Sequence, residues 1–240
     1  MLTAALRVAR ELRFLLGEAY ARAVVDHVGE DVRLEFGIRL MRGAGIRLGS
    51  RVEILRDSTL DARSPESYAL SIGDYCRIKE NVWLACYGGR IDIGDHVLIG
   101  RNTVIHGHGG VAIGKWAMVG SNVVIVSASH VYWRDGEPMQ TQGFAVEPVA
   151  IGENTWIGSN AVVLGGVHIG DNVVVGAGSV VTRNLESNKV YAGVPAVSIR
   201  SREEGLRAGL VLPDDPQFEM SHPVGADSRV GRIVRAVRGN

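Results

Sequence analysis

The stretch from Ile151 to Glu186 reads IGENTW-IGSNAV-VLGGVH-IGDNVV-VGAGSV-VTRNLE, six consecutive units of six residues. Similar units start at Ile93 and read IGDHVL-IGRNTV-IHGHGGVA-IGKWAM-VGSNVV-IVSASH. Every unit begins with Ile or Val, glycine is frequent at its second position, and Asn is frequent at its fourth. This period is too long for one face of an amphipathic helix and differs from the alternation of a half-buried strand. It predicts short strands joined by tight turns on three sides of a prism, with the aliphatic residues pointing inward.

Three such units make one coil of about 18 residues, and successive coils pair as parallel strands about 4.8 Å apart. Units from Ile72 (IGDYCR) and Ile78 (IKENVW) extend the pattern toward the N-terminus. We therefore expect roughly five coils, and a sixth if IRLGSR from Ile46 belongs to the series. The predicted fold is an all-β solenoid over residues 41–200, with an N-terminal helical cap over 1–40 and a C-terminal extension over 201–240.

Two interruptions break the repeat. Ile105 and Ile113 are separated by eight positions, which predicts a small bulge. Ile125 and Ile151 are separated by 26 positions where six would suffice, so about 20 residues leave the prism as a loop over 126–150. A long loop in a regular solenoid is usually functional.

The two ends of the chain carry different patterns. Residues 1–30 read as a helix that covers the open first coil. One face of it carries Leu6, Ala9, Leu12, Leu16 and Ala19. Near the C-terminus, four arginines alternate with aliphatic residues between Arg229 and Arg238, a pattern typical of a basic amphipathic helix. Such a helix raises the hypothesis of peripheral contact with an anionic membrane, and a solvated cap on the solenoid is the alternative.

Composition limits the function classes. The formal net charge is zero and the pI is about 7.1, which does not favour nucleic-acid binding. The only two cysteines are Cys76 and Cys86, too few for a disulfide framework and consistent with a reducing cytoplasm. No apolar run approaches the roughly 20 residues needed to span a bilayer. We expect a cytoplasmic protein that contacts the inner membrane face at most peripherally.

The segment from Ile113 to Arg200 is the most specific part of the sequence. It contains SASH, then QG, then EPVAIGENTWIGSNAVVLGGVHIGDNVVVGAGSVVT, and then YAGVPAVSIR. This series resembles the maltose/galactoside O-acetyltransferase group and the acetyltransferases of surface-polysaccharide assembly. The resemblance implies a left-handed parallel β-helix, a homotrimer with active sites between subunits, and transfer of an acyl group from acetyl-CoA to a sugar hydroxyl. It implies no required metal.

His130 is the candidate catalytic residue. It opens the long loop, at the position of the catalytic histidine in the family that the chain resembles. A sugar hydroxyl is a poor nucleophile until a base takes its proton, and a positioned imidazole suits this role at neutral pH. We predict that His130 is this general base and that transfer is direct, within a ternary complex. A covalent mechanism through Cys76 or Cys86 is not expected, because neither has a recognisable histidine partner.

The resemblance also implies the coenzyme contacts. The Ser159 amide is the candidate stabiliser of the thioester oxygen, since backbone N–H groups are the usual donors to an oxyanion. The remaining candidates are the Trp156 indole and the Ala177 amide for the pantetheine arm, and Thr182, Arg183 and Arg200 near the adenosine phosphates.

The acceptor site is predicted in the loop and the adjoining coil. Its candidate residues are Trp133, Arg134 and Gln142 from the loop, with His106 and His108 from the preceding bulge. Asp135 and Glu137 lie in the same loop. Each of these has a solvated loop residue as its alternative interpretation.

Other functions remain open at this point. An N-acetyltransferase of an amino sugar, or an acyltransferase that modifies small molecules or drugs, would use the same base and coenzyme groove. A zinc enzyme of the carbonic anhydrase kind would need three nitrogen ligands. The spacing of His106, His108 and His130 does not match the pattern of those enzymes. A non-catalytic scaffold would not bind coenzyme A.

Overall fold

The computed structural model describes residues 14–203, which form a left-handed parallel β-helix with one helix at its N-terminal end. Residues 1–13 and 204–240 lie outside the described residues, and so does the predicted basic helix between Arg229 and Arg238. Three sheets, here called A, B and C, form the sides of the prism.

The chain visits the three sheets in turn, one strand in each per coil. Sheet A contains β1 (His27–Val28), β4 (Ile46–Leu48), β7 (Leu70–Ile72), β10 (Ile91–Ile93), β13 (Val111–Ile113), β18 (Val149–Ile151) and β21 (His168–Ile169). Sheet B contains β2 (Arg33–Leu34), β5 (Glu53–Ile54), β8 (Arg77–Ile78), β11 (Leu98–Ile99), β14 (Met118–Val119), β19 (Trp156–Ile157), β22 (Val174–Val175), β24 (Lys189–Ala192) and β25 (Val197–Ser201).

Sheet C contains β3 (Arg39–Met41), β6 (Thr59–Asp61), β9 (Trp83–Ala85), β12 (Val104–His106), β15 (Val124–Val126), β20 (Val162–Val163) and β23 (Val180–Val181). A separate two-stranded ribbon consists of β16 (Ala128–His130) and β17 (Phe144–Val146), which pair antiparallel. Short 3-10 turns span Gly43–Gly45 and Met139–Thr141. All pairings within the three sheets are parallel except that of β24 with β25, which closes sheet B.

The β-helix is longer than the sequence predicted. It has about eight turns instead of five or six, and it begins at His27, within the segment expected to be a helical cap. The first two coils keep the glycine of the repeat, at Gly29 and Gly49, and the inward aliphatic residues, but their corner residues are Asp31 and Arg51 instead of Asn. Leu34 and Ile54 are both buried and are neighbours on adjacent strands. The inward aliphatic residue therefore maintains the coil where the corner Asn is absent.

Inward aliphatic residues stack along the axis of the prism. In sheet C, Ile105 lies between Leu84 and Ile125 on the adjacent strands, and all three side chains are inaccessible to solvent. Burying one such side chain contributes about 1.5–3 kcal/mol. Repetition of this contact in every coil supplies the core.

Left-handed corner residues align along the edges of the prism. Between sheets B and C, Asn81, Asn102, Asn122 and Asn160 all have positive φ. Each side-chain amide donates to the carbonyl oxygen of the next, at 3.0, 3.0 and 3.2 Å. Asn tolerates this backbone conformation and also links the coils, which explains its frequency in the repeat.

The N-terminal helix α1, described over residues 14–24, packs on the first coil. A side chain at Gly17 would approach the carbonyl oxygen of Leu34 to 2.1 Å, so the helix backbone lies directly against sheet B. The buried residues are Phe14 and Ala21, whereas Leu16 is 72% exposed. The helix therefore buries a different face from the predicted one, because Leu16 and Ala19 are both exposed. The other members of the predicted face, Leu6, Ala9 and Leu12, lie outside the described residues. Among residues 14–203 no helix is long and apolar enough to cross a membrane.

Candidate active site

The long interruption forms a β-ribbon rather than an irregular loop. β15 ends at Val126 and β18 begins at Val149, so the excursion occupies residues 127–148. Its strands β16 and β17 pair antiparallel, with His130 opposite Phe144. The two rings lie 4.4 Å apart, and the His130 side chain is exposed. The predicted catalytic residue therefore stands on a short strand that fixes its backbone.

Two further histidines lie beside His130, and the three together are called the histidine cluster. His106 ends β12 and His108 follows two residues later, with their rings 6.1 Å apart. Phe144 lies 5.1 Å from His108 and so contacts both this histidine and His130. The eight-residue repeat unit and the ribbon thus converge at the same corner, between sheets C and A.

Burial changes the titration of two members of the histidine cluster. Partial burial lowers the pKa of His106, and the neighbouring His108 lowers it further. Burial also lowers the pKa of His108, with His130 as the second cause. The Nε2 atom of His106 and the Nδ1 atom of His108 are buried, and neither makes a hydrogen bond to another described residue. Buried polar atoms are normally paired, so these two nitrogens suit a polar ligand.

Aromatic residues of the preceding coil complete the cluster, and sequence reasoning missed them. Tyr87 stacks on His108 at 4.6 Å and meets His106 edge-on at 5.0 Å. Trp83 also meets His106 edge-on, at 5.5 Å. A signal for both was present: Tyr87 precedes His108, and Trp83 precedes Val104, by the same 21 residues, which is one coil.

The loop residues predicted to bind the acceptor divide into two groups. Trp133 and Arg134 are exposed, and Arg134 forms an ion pair with Glu137 at 3.7 Å. Gln142 corrects the prediction, because its side chain is buried and fully used within the loop. Its Nε2 donates to the carbonyl oxygens of Arg134 and Glu137 at 2.9 and 2.8 Å, and its Oε1 accepts from the Arg134 amide at 3.0 Å. Gln142 holds the loop together and has no donor directed at an acceptor sugar.

Two of the predicted coenzyme residues have open backbone amides. At the corner between sheets B and C, the Ser121 amide donates to the Ser159 hydroxyl of the next coil at 3.2 Å. One coil later Ser159 is followed by Ala177, which has no side-chain oxygen. Within residues 14–203 no acceptor is recorded for the amides of Ser159 and Ala177. These N–H groups are free to bind an external acceptor.

The other predicted coenzyme residues are spread around the last coils. Trp156 is 51% exposed on sheet B, next to Met118 on the adjacent strand. Thr182 and Arg183 are exposed just after β23, and Arg200 is exposed on β25. Among the described residues, neither arginine has a carboxylate partner within 4.0 Å.

One chain does not bring His130 and the open amides together. Ser159 lies where sheet C begins, and the ribbon with His130 leaves where sheet C ends. The two corners are separated by the width of the sheet, roughly 15 Å for about five extended residues.

Neither cysteine is arranged as a nucleophile. Cys76 and Cys86 are buried, and burial raises the pKa of each thiol to about 12. The Cys76 thiol donates to the Gly94 carbonyl oxygen at 3.0 Å. In the described part of the chain, no three His, Cys, Asp or Glu side chains are grouped so that they could hold a metal ion.

Known proteins resemble both the repeat and the site region. A family described as the hexapeptide repeat of succinyl-transferase matches residues 90–127 and 148–183, on both sides of the ribbon. A putative colanic acid biosynthesis acetyltransferase of Escherichia coli is 31% identical over 139 residues, which are 57% of this chain and 72% of that relative. This chain belongs to the hexapeptide-repeat acyltransferase family.

Other hexapeptide-repeat acyltransferases are similar over shorter shares. The galactoside O-acetyltransferase of Escherichia coli is 36% identical over 132 residues, 52% of this chain and 64% of that protein. The chain spans less than two thirds of the length of this and several other curated relatives that it matches. A solved N-acyltransferase from Bacillus cereus, in complex with dTDP and 3-hydroxybutyryl-CoA, has a TM-score of 0.55 at 20% identity, covering 79% of this chain and 89% of that one. At this identity the likeness shows the fold alone.

Proposed function

We propose that this chain transfers an acetyl group from acetyl-CoA to a hydroxyl of a sugar or glycan, with His130 as the general base. The observation that carries the proposal is the position of His130. It stands on the ribbon that interrupts the repeat, beside two half-buried histidines that each have a buried ring nitrogen without a hydrogen-bond partner among the described residues. The similarity to sugar and polysaccharide acetyltransferases supports the substrate class.

The reaction follows from ordinary acyl-transfer chemistry. The imidazole of His130 takes the proton of the acceptor hydroxyl as that oxygen attacks the carbonyl carbon of the thioester. The carbon–sulfur bond breaks, and the sulfur leaves and recovers the proton from His130. Negative charge that develops on the carbonyl oxygen needs fixed donors, and the open amide of Ser159 suits that role.

The Ala177 amide, the exposed Trp156 indole and the cations at Arg183 and Arg200 suit a long ligand that ends in phosphates. Acetyl-CoA has this form, with an amide-containing arm and an adenosine phosphate end. These residues make and break no bonds in the reaction. They bind and orient the donor.

We infer that the complete site forms between copies of the chain in a homotrimer. His130 and Ser159 lie on opposite edges of sheet C, too far apart to act on one thioester within a protomer. Packing one prism beside another would bring the two edges of different copies together. Analytical ultracentrifugation tests this assembly, and a stable active monomer would contradict it.

The activity is tested by release of the coenzyme A thiol with a panel of sugar acceptors. We expect His130→Ala to lower the rate by about 10²–10⁴-fold, the usual contribution of a positioned base. His27→Ala, at an exposed histidine of the first coil, is the matched control and should leave the rate unchanged. Full activity of His130→Ala would overturn the catalytic assignment. A burst of free thiol without acceptor would contradict direct transfer.

A further inference from the structure

A groove of about 290 Å³ lies on the outer face of sheet C, over the first three coils. It is distinct from the ribbon and from the corner that carries the open amides. Its polar lining includes Arg39, Thr59, Asp61, Arg63, Asn81 and the exposed indole of Trp83.

The groove is held in shape by an ion pair. Asp61 is buried, and the Arg63 guanidinium binds both of its carboxylate oxygens, with contacts of 2.9 and 2.6 Å. Burial acts to raise the pKa of Asp61, but the hydrogen bonds from Arg63 outweigh it and keep the pKa below its ordinary value. At the other end, Arg39 donates to the Thr59 hydroxyl at 3.1 Å, and no carboxylate among the described residues pairs with it. The groove therefore offers guanidinium donors that contacts with Asp61 and Thr59 hold in place.

Trp83 joins this groove to the histidine cluster. Its indole lines the groove on one side and meets His106 at 5.5 Å on the other. In the register of sheet C, Asp61 and His106 occupy the same position two strands apart. The surface from Asp61 past Trp83 to the ribbon spans about three strand spacings, roughly 14 Å. This length exceeds a single monosaccharide ring.

The groove chemistry suits a saccharide. The flat C–H face of a pyranose packs on an exposed aromatic ring, and its hydroxyls pair with carboxylate, guanidinium and amide groups. Trp83 supplies the ring, while Arg39, Arg63 and Asn81 supply the polar partners, and Asp61 holds Arg63 in place. Ligand sites typically combine an apolar surface with a few fixed polar groups in this way.

We propose that this groove binds the sugar residues adjoining the one that is acetylated, so that the acceptor is an oligosaccharide or glycan chain rather than a free monosaccharide. The inference rests on the acyl transfer proposed above, and it assigns Arg39 and Trp83 to the recognition of chain length. It also explains why these first coils, although far from the coenzyme residues, carry an aromatic and two arginines on one face.

The first test is kinetic. Acetyl transfer from acetyl-CoA is measured with cello-, chito- and galacto-oligosaccharides of one to four residues. For a series that is acetylated, kcat/KM should rise at least tenfold from one to three residues in the wild-type protein. The ratio of kcat/KM for three residues to kcat/KM for one residue should fall toward one in Trp83→Ala and in Arg39→Gln. Tyr20→Ala, at an exposed aromatic on α1, should keep the wild-type ratio.

A kcat/KM that does not change with chain length, or a length dependence that survives Trp83→Ala, would overturn the proposal. A second experiment measures binding alone and does not depend on turnover. The labelled full-length His130→Ala protein is applied to an array of printed mono- to hexasaccharides. We expect retention on longer chains that is lost when Trp83→Ala is added. Failure to bind any chain in a length-dependent way would refute the groove. Absence of transfer to every acceptor, with such binding intact, would instead refute the acyl-transfer function.

Discussion

The ring of Phe144 lies 4.4 Å from the ring of His130, on the facing strand of the ribbon. Phe144 also lies 5.1 Å from His108, so it contacts both the exposed imidazole and the half-buried one. The orientation of the candidate base is thus set by an aromatic side chain 14 residues away in the sequence. Phe144 is a positioning residue, and its effect can be measured.

Phe144→Ala should lower kcat for acetyl transfer by roughly tenfold to a hundredfold, because a misplaced base loses its geometry with the hydroxyl. Phe144→Leu keeps an apolar surface beside the imidazole and should lose less. The Kd for acetyl-CoA, measured by calorimetry, should be unchanged in both variants. A loss confined to coenzyme binding would argue against the positioning role.

Ala177→Ser should weaken the binding of acetyl-CoA by roughly threefold to tenfold. A hydroxyl at Ala177 would accept from the Ser159 amide, just as the Ser159 hydroxyl accepts from the Ser121 amide at 3.2 Å. The open amide would then be occupied. Ala177→Cys, of similar size but a weak acceptor, is the control. Calorimetric titration with acetyl-CoA measures the difference, and equal affinities for both variants would contradict the role of this amide.

Gln142→Ala should loosen the ribbon without unfolding the β-helix. The variant removes three hydrogen bonds within the loop and leaves the Arg134 amide unpaired. We expect faster proteolytic cleavage within 131–143 and a lower kcat, with little change in Tm. Gln142→Glu keeps the acceptor and loses the two donated bonds, so its effect should be intermediate. Unchanged proteolysis in Gln142→Ala would show that the loop is held by other contacts.

Acid should destabilise the folded protein through His106 and His108. Burial lowers the pKa of both imidazoles, so below the ordinary histidine pKa of about 6.5 the unfolded chain binds more protons than the folded one. The contribution of these two neutral imidazoles to the free energy of unfolding is fully present above pH about 6.5, the ordinary histidine pKa. It is lost as the pH falls from there through the lowered pKa values of the folded state. Tm measured between pH 7.5 and 5 should fall less steeply in a His106→Gln/His108→Gln variant. Parallel curves would count against this coupling.

The row of Asn81, Asn102, Asn122 and Asn160 should contribute to stability through both its backbone and its side chains. Asn122 has φ of 58° and exchanges amide hydrogen bonds with Asn102 and Asn160. Asn122→Ala should cost about 2 kcal/mol in urea unfolding, from left-handed strain and lost hydrogen bonds. Asn122→Gly removes the same hydrogen bonds but relieves the strain, so it should cost about 1 kcal/mol less. Equal losses would mean that the hydrogen bonds dominate.

The sequence by itself predicted the solenoid, the three-sided winding and the position of the excursion. The reason is physical: an inward aliphatic residue and a left-handed corner are local requirements that recur every six residues, so both are visible as a pattern in the sequence. His130 was singled out because it opens the longest break in that period and stands at the position of the catalytic histidine in the family that the chain resembles, and its role stays a prediction.

Only the tertiary structure decided which residues of different coils meet. Contacts across coils join positions 16 to 38 residues apart, and insertions such as 62–69 and 127–148 change that offset from coil to coil. For this reason Trp83 and Tyr87 were not predicted as neighbours of the histidine cluster. The internal role of Gln142 was missed because it depends on how the loop between β16 and β17 folds back on itself. The same winding puts Ser159 and the start of the ribbon that carries His130 at opposite edges of sheet C.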